Sequence, residues 1–365
     1  MSTDVSLLLE LAERPDDRGL RHVLADWLLE RGDPRGEVIA LCARGELSLT
    51  EQRKVARLTT QHGGAWLGRV ASVADLHRTR FREGFLHELV CAARPAELFA
   101  TVAGDPVLAT AKGFSLPPST ATSDLVTFLG HRYLAGLERL ELGVADWKAL
   151  GTTDFPHLKP HRVVVSSFGT FRHELRGLER SPVIARAPAM GLATTEFTNA
   201  PAVLAILEAL EGQAPALVSF EELQLVSHYG PMEASATWLH AADTFGRALP
   251  KLQTWALEIS EVGFARRRGE DGHFSHLEID LGLPEGPGER QAISSPQGRP
   301  PIVIRMSNAS VVMQQLRSAA LSSIEIKLPP GAGLRSRERQ ALEVEARRCS
   351  TLRKFTLGGE TTILP

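Results

Sequence analysis

Five ionisable residues crowd one short stretch near the N-terminus: Asp26, Glu30, Asp33, Arg35 and Glu37. Carboxylates in such company suit general acid–base work or a hard metal ion. No paired His or Cys accompanies them, however. Turn chemistry accounts for Asp33, and Arg35 and Glu37 are close enough to pair locally, so the stretch reads as structural. The histidines are scattered and form no HExxH motif, and the chain has no GxxxxGK[ST] phosphate loop, no GxGxxG and no GxSxG elbow. Cys42, Cys91 and Cys349 are widely spaced and make no CxxC, which argues against a disulfide framework and a zinc ribbon. Cys91 and Cys349 fall within apolar patterns and read as small core residues. No catalytic residue, cofactor-binding residue or metal ligand is assigned from the sequence, and no cofactor is expected.

A second set of polar residues recurs at fixed places in a repeated pattern. L-x-x-L-x-L stands at Leu86, Leu89 and Cys91; at Leu137, Leu140 and Leu142; and at Phe220, Leu223 and Leu225. It returns at Leu252, Trp255 and Leu257; Phe274, Leu277 and Ile279; Leu321, Ile324 and Ile326; and Leu352, Phe355 and Leu357. Successive side chains of an extended chain point to opposite faces, so the spaced apolar residues enter a core while those between them face away. The residues so exposed are Glu141, Gln224, Glu258, Glu278, Asp280, Glu325 and Lys327, with Arg305 from a weaker copy. Acids outnumber bases, which predicts a negative stripe able to steer a basic partner. Two arginine clusters, Arg78, Arg80 and Arg82 and then Arg266, Arg267 and Arg268, have the charge to meet phosphate. Glu83, Glu270 and Asp271 adjoin them and the formal net charge is −2, so they read as solvated surface and nucleic acid is not the expected partner.

The elements that must position these residues are strands alternating with helices. Weaker strand candidates lie at Phe114 to Leu116, Val163 to Val165, Val183 to Ala185 and Ile302 to Ile304. Apolar helical stripes begin near Ser123, Thr170, Ala202, Ala236, Val311 and Arg337. Leu86 and Leu137 are 51 residues apart, or about two units of 25 to 26, inside the range for leucine-rich repeats. The array resembles leucine-rich repeats of a degenerate kind, because the Asn expected three residues after the last Leu is replaced by Ala145, His228 and Glu360. Two stretches rich in Gly, Pro and charge, Ala265 to His273 and Pro284 to Pro301, read as exposed loops.

Ahead of the array, Leu20, Val23, Leu24, Trp27 and Leu28 make an apolar helical stripe. Asp16 and Asp17 suit its N-terminus, and Gly32 with Asp33-Pro34 turns the chain into a second helix. Ser48 and Glu51 have capping-box spacing for another. The run ADWLLERGDPRGEVI, preceded by PDD at Pro15 to Asp17, resembles the short repeat-companion domain found at the N-termini of many myxobacterial and planctomycete proteins. That resemblance covers about the first 45 residues. It implies a helical domain placed before degenerate repeats, and no activity.

At 365 residues, with 43% hydrophobic and 23% charged residues, the chain is long enough for two domains or one elongated array, and global disorder is excluded. The acidic N-terminus lacks the basic start of a signal peptide, and no apolar run reaches membrane-span length. A cytoplasmic protein without membrane contact is expected. The fold expected is α/β: a helical domain over 1–66, then an irregular leucine-rich-repeat-like solenoid over 67–365 with a parallel sheet on its concave face. The expected function is that of a non-enzymatic protein-interaction module, a scaffold, adaptor or recognition subunit in bacterial signalling or defence. Two other readings stand beside it. One is a substrate or regulatory partner of a protease, cleaved in the 284–301 loop; the other is a nucleic-acid binder using the arginine clusters.

Overall fold

A computed structural model describes residues 3–14, 17–92, 97–116, 124–167, 178–194, 220–227, 239, 251–259, 262–270, 272–281, 309–310, 313–314, 321–328 and 336–364. Within them the protein is mixed α/β, with nine α-helices and a mostly parallel thirteen-stranded sheet whose strand order is the sequence order. Two compact units divide the chain, the first holding Met1–Val164 with Arg180–Ala187, the second chiefly Pro188–Pro284 and Ala292–Pro365.

The first unit opens with four helices: α1 (Thr3–Glu13), α2 (Arg18–Leu29), α3 (Pro34–Ala43) and α4 (Leu49–Trp66). The Asp17 side chain accepts from the Leu20 N–H at the start of α2, and Asp33 does the same for Arg35 at the start of α3, with Pro34 in its first turn. Ser48 and Glu51 form the reciprocal capping box of α4. The buried side of α2 differs from the expected stripe. Leu24, Ala25 and Leu28 are its buried residues, while Val23 is exposed. The shift follows from Gly36, which lets α3 approach so closely that a Cβ there would lie 2.6 Å from the Ala25 carbonyl oxygen and 2.9 Å from Leu28 Cβ. Ala25 thus sits at the helix contact, and Trp27 is left half-buried beneath the Arg31 guanidinium, 3.8 Å from the ring centroid.

Strands β1 (Arg80–Arg82) and β2 (Phe85–Val90) follow as an antiparallel hairpin. Its two turn residues, Glu83 and Gly84, both take positive φ (54° and 84°), the requirement of a type I′ turn. Beyond it come α5 (Glu97–Val102), β3 (Gly113–Ser115), α6 (Leu125–Leu129), β4 (Arg139–Gly143), α7 (Val144–Leu150), β5 (Arg162–Ser167) and α8 (Pro182–Arg186). β2, β3 and β4 are parallel neighbours, with Leu89, Phe114 and Leu140 in register and all buried. The expected strand at Val183 to Ala185 is a correction: those residues lie in α8, begun by Pro182. The strand comes afterwards, and its pattern is Ala187, Met190 and Leu192, all buried.

The second unit contains β6 (Ala189–Thr194), β7 (Glu222–Ser227), β8 (Thr254–Ile259), β9 (Val262–Arg267), β10 (His276–Asp280), β11 (Ser323–Lys327), α9 (Ser336–Arg347), β12 (Lys354–Leu357) and β13 (Glu360–Ile363). β6–β7–β8 and β10–β11–β12 are parallel runs. Between them β9 is antiparallel to both β8 and β10, so the expected parallel sheet is mostly parallel, with antiparallel pairs here, at β1–β2 and at β12–β13. Ala265 to Arg267, expected in an exposed loop, belong to β9. Apolar alternation hid this strand, because its inward positions are Val262, Phe264 and Arg266. Gly358 and Gly359, both at positive φ, turn β12 into β13. Leu277, Ile279, Ile324, Ile326, Phe355 and Leu357 form the buried side of the last parallel run, each contributing about 1.5–3 kcal/mol relative to an exposed side chain. Expected helices near Thr170, Ala202, Ala236 and Val311, the strand at Ile302 to Ile304 and the loop from Pro284 to Pro301 fall wholly or largely outside the described residues.

Candidate interaction face

Strand alternation settles which residues face away from the core. In the second unit, register sets His276 beside Ser323, Glu278 beside Glu325, and Asp280 beside Lys327. On the next strand Lys354 adjoins Ser323, and Thr356 adjoins Glu325. These residues share one face because each sits between the buried positions of its own strand. Glu278 is at the centre. Its Oε1 meets Lys327 Nζ at 2.9 Å and its Oε2 meets Arg267 Nη2 at 3.1 Å. Glu325 has His276 Nε2 at 3.9 Å, beyond hydrogen-bond reach. His276 Nδ1 lies 2.5 Å from Ser323 Oγ. Burial draws the His276 imidazole below its usual range despite both nearby carboxylates, which favours the neutral ring.

The first unit repeats the theme on β2–β3–β4. Arg139 donates to Glu88 Oε1 at 2.6 Å and to Glu141 Oε2 at 2.5 Å, and Arg80 Nε approaches Glu88 at 3.6 Å. The first of these contacts passes over β3, where Gly113 stands between Glu88 and Arg139 in register. A Cβ on Gly113 would lie 3.0 Å from Glu88 Cγ. The missing side chain is what lets an ion pair span two strands.

Of the residues expected on this face, Glu141, Gln224, Glu278, Asp280, Glu325 and Lys327 lie on strands as the pattern requires. Glu258 is in β8 by its backbone, and Arg305 lies outside the described residues. The expected negative stripe is corrected. In the first unit Glu141 is paired with Arg139, and in the second Glu278 is paired with Arg267 and Lys327, so each of these two acids has a counter-charge on its own unit's strands. The arginine cluster is also reassigned. Arg266 is buried and donates to the Leu239 carbonyl at 3.1 Å and to the Phe274 carbonyl. Arg267 holds Glu278, and Arg268 donates to the Leu252 and Gly272 carbonyls at 2.9 Å each. Their role is to fasten β9. No family model, curated protein or solved structure matches the chain.

Two acids of the N-terminal stretch, Asp33 at the start of α3 and Glu37, hold local structure. Glu37 pairs with Lys54 rather than with Arg35. Arg35 is buried instead, its Nε donating to the Gly84 carbonyl at 2.7 Å and its guanidinium 5.4 Å from the Phe85 ring centroid. Burial draws it down to about 10, so it stays charged at neutral pH. Gly84 itself packs so closely that a Cβ would meet Ile39 Cγ1 at 2.8 Å. A groove of about 830 Å³ beside this contact is lined by Arg18, Arg21, Cys42, Arg82, His87 and Lys112, among others. Burial pushes the Cys42 thiol up to about 11, which leaves it a poor nucleophile at neutral pH. His157 and His161 stand four apart in the sequence. Pro160 separates them in a segment without helix, and His157 Nε2 lies 2.9 Å from the Leu129 carbonyl.

Proposed function

We propose that the chain is a non-enzymatic protein-recognition module: a repeat-companion-like helical domain leading a degenerate leucine-rich-repeat-like solenoid whose polar strand face receives a protein partner. The observation that carries this reading is the polar face of β10–β11–β12. There in-register side chains that can donate and accept stand on a rigid parallel scaffold with a wholly apolar reverse side. Strand order equal to sequence order, with Leu86, Leu140, Leu223, Trp255, Leu277, Ile324 and Phe355 of the L-x-x-L-x-L pattern buried, supports the repeat array. The use of Gly36, Asp33 and Pro34 in one tight helical turn supports the companion-domain reading.

A face of paired charges recognises by matching donors and acceptors, and contributes less by long-range attraction. The partner class is therefore widened from basic proteins to a polar protein surface. A cytoplasmic setting remains part of the proposal, and no helix among the described residues is long and apolar enough to cross a membrane. The arginine contacts weigh against the nucleic-acid reading, and the protease reading rests on a loop outside the described residues.

The test is affinity capture from the native host. Wild type is compared with an Asp280→Ala, Glu325→Ala, Lys327→Ala variant and with Arg18→Ala, which alters the first unit's groove, after circular dichroism has established that all are folded. One protein captured near equimolar ratio by the wild type and Arg18→Ala, and lost from the triple variant, supports the reading. Equal capture by all three removes the strand face from consideration.

A further inference from the structure

We propose that His276, Glu278 and Glu325 form a binding site for a zinc-type divalent cation. The proposal concerns the metal alone and does not rest on the partner reading above. One ligand atom from each residue lies within 4.8 Å of the others. Four-coordinate zinc with bonds of 2.0–2.2 Å to imidazole nitrogen and carboxylate oxygen separates its ligand atoms by about 3.4 Å, so small side-chain rotations close the site. His276 and Glu278 alternate on β10, and Glu325 stands opposite Glu278 on β11, so the backbone positions are fixed by parallel pairing rather than by loops.

Ser323 Oγ, at 2.5 Å from His276 Nδ1, sets the ring orientation and turns Nε2 toward Glu325. An imidazole oriented through its other nitrogen is the usual arrangement of a metal-bound histidine. Glu278 is held by Arg267 and Lys327. Each oxygen of Glu278 accepts one of these bonds, so about half of the carboxylate's four lone-pair sites remain, one on each oxygen, for a metal while both cations stay in place. Glu325, by contrast, has only the His276 ring within ion-pair distance among the described residues, at 3.9 Å. The nitrogen donor selects zinc-type ions over magnesium and calcium, which take oxygen ligands. Three protein ligands leave a fourth position open to solvent.

The experiment uses the full chain, stripped with a chelator and titrated with zinc alone against a competing chromophoric chelator. It is done for wild type, His276→Gln and Glu325→Gln, with circular dichroism on each. The expected result is one wild-type equivalent whose affinity falls at least tenfold in both variants, with magnesium in excess failing to compete. Cobalt in place of zinc should give wild type the visible absorption of a four-coordinate ion, a readout that needs no variant to fold. Wild type that binds no zinc, an affinity unchanged in either variant, or cobalt without that absorption overturns the assignment.

Discussion

Asp146 is a fully buried carboxylic acid in α7, where burial outweighs the Gly143 backbone N–H that favours its charged form. Burial pushes its carboxyl from 3.8 up to about 7. The folded chain therefore holds this proton more tightly than the unfolded chain, and the stabilisation is complete below about pH 4 and lost as pH rises through 7. The loss amounts to at most roughly 4 kcal/mol. Asp146→Asn should flatten stability between pH 5 and 8 in urea titrations, and an unchanged slope would count against the buried acid. Arg266→Ala should lower stability by about 3 kcal/mol or more, since it leaves the Leu239 and Phe274 carbonyls without their buried donor. An arginine meant for phosphate would instead be lost with little change in the melting curve. At this scale the sequence misled most. Arg266 and Arg267 are adjacent and chemically alike, yet strand alternation sends one into the core and the other to Glu278. Only knowledge that the stretch is a strand separates them.

Elements were more legible where local chemistry fixes them. Ser48 with Glu51, Asp33 with Pro34, and the spaced apolar residues of β2, β4, β10, β11 and β12 each carry their own instruction, because caps and alternation act within a few residues. β1, β9 and β13 escaped notice, since two are only three or four residues long and the third puts a charge where a core residue was expected. The purpose of the α2–α3 turn was also illegible. Its arginine reaches a carbonyl 49 positions away, at Gly84. Gly36→Ala should cost about 2–4 kcal/mol, because the atoms in its way are mostly backbone and cannot yield cheaply. Ser48→Ala, losing one exposed cap, should cost about 1 kcal/mol. Chemical denaturation of the two variants would rank them, and a reversed order would mean that α3 can move away from α2.

At the scale of the molecule, strand order could be read from repetition alone, while strand direction could not. Each end of the order is a short antiparallel strand, β1 or β13, and short edges discourage pairing between chains. Replacing Gly358 and Gly359 with Val should strain that turn and free the β12 edge. Light scattering should then report concentration-dependent association in the variant and none in wild type. The β8–β9–β10 step has a further consequence. A crossover between parallel neighbours leaves the sheet plane and returns, so it has a hand, and in proteins that hand is right. From β8 the chain instead returns within the plane, as β9, and arrives at β10 pointing as β8 did. This step is achiral, so it adds no turn to the winding of the parallel strands before and after it.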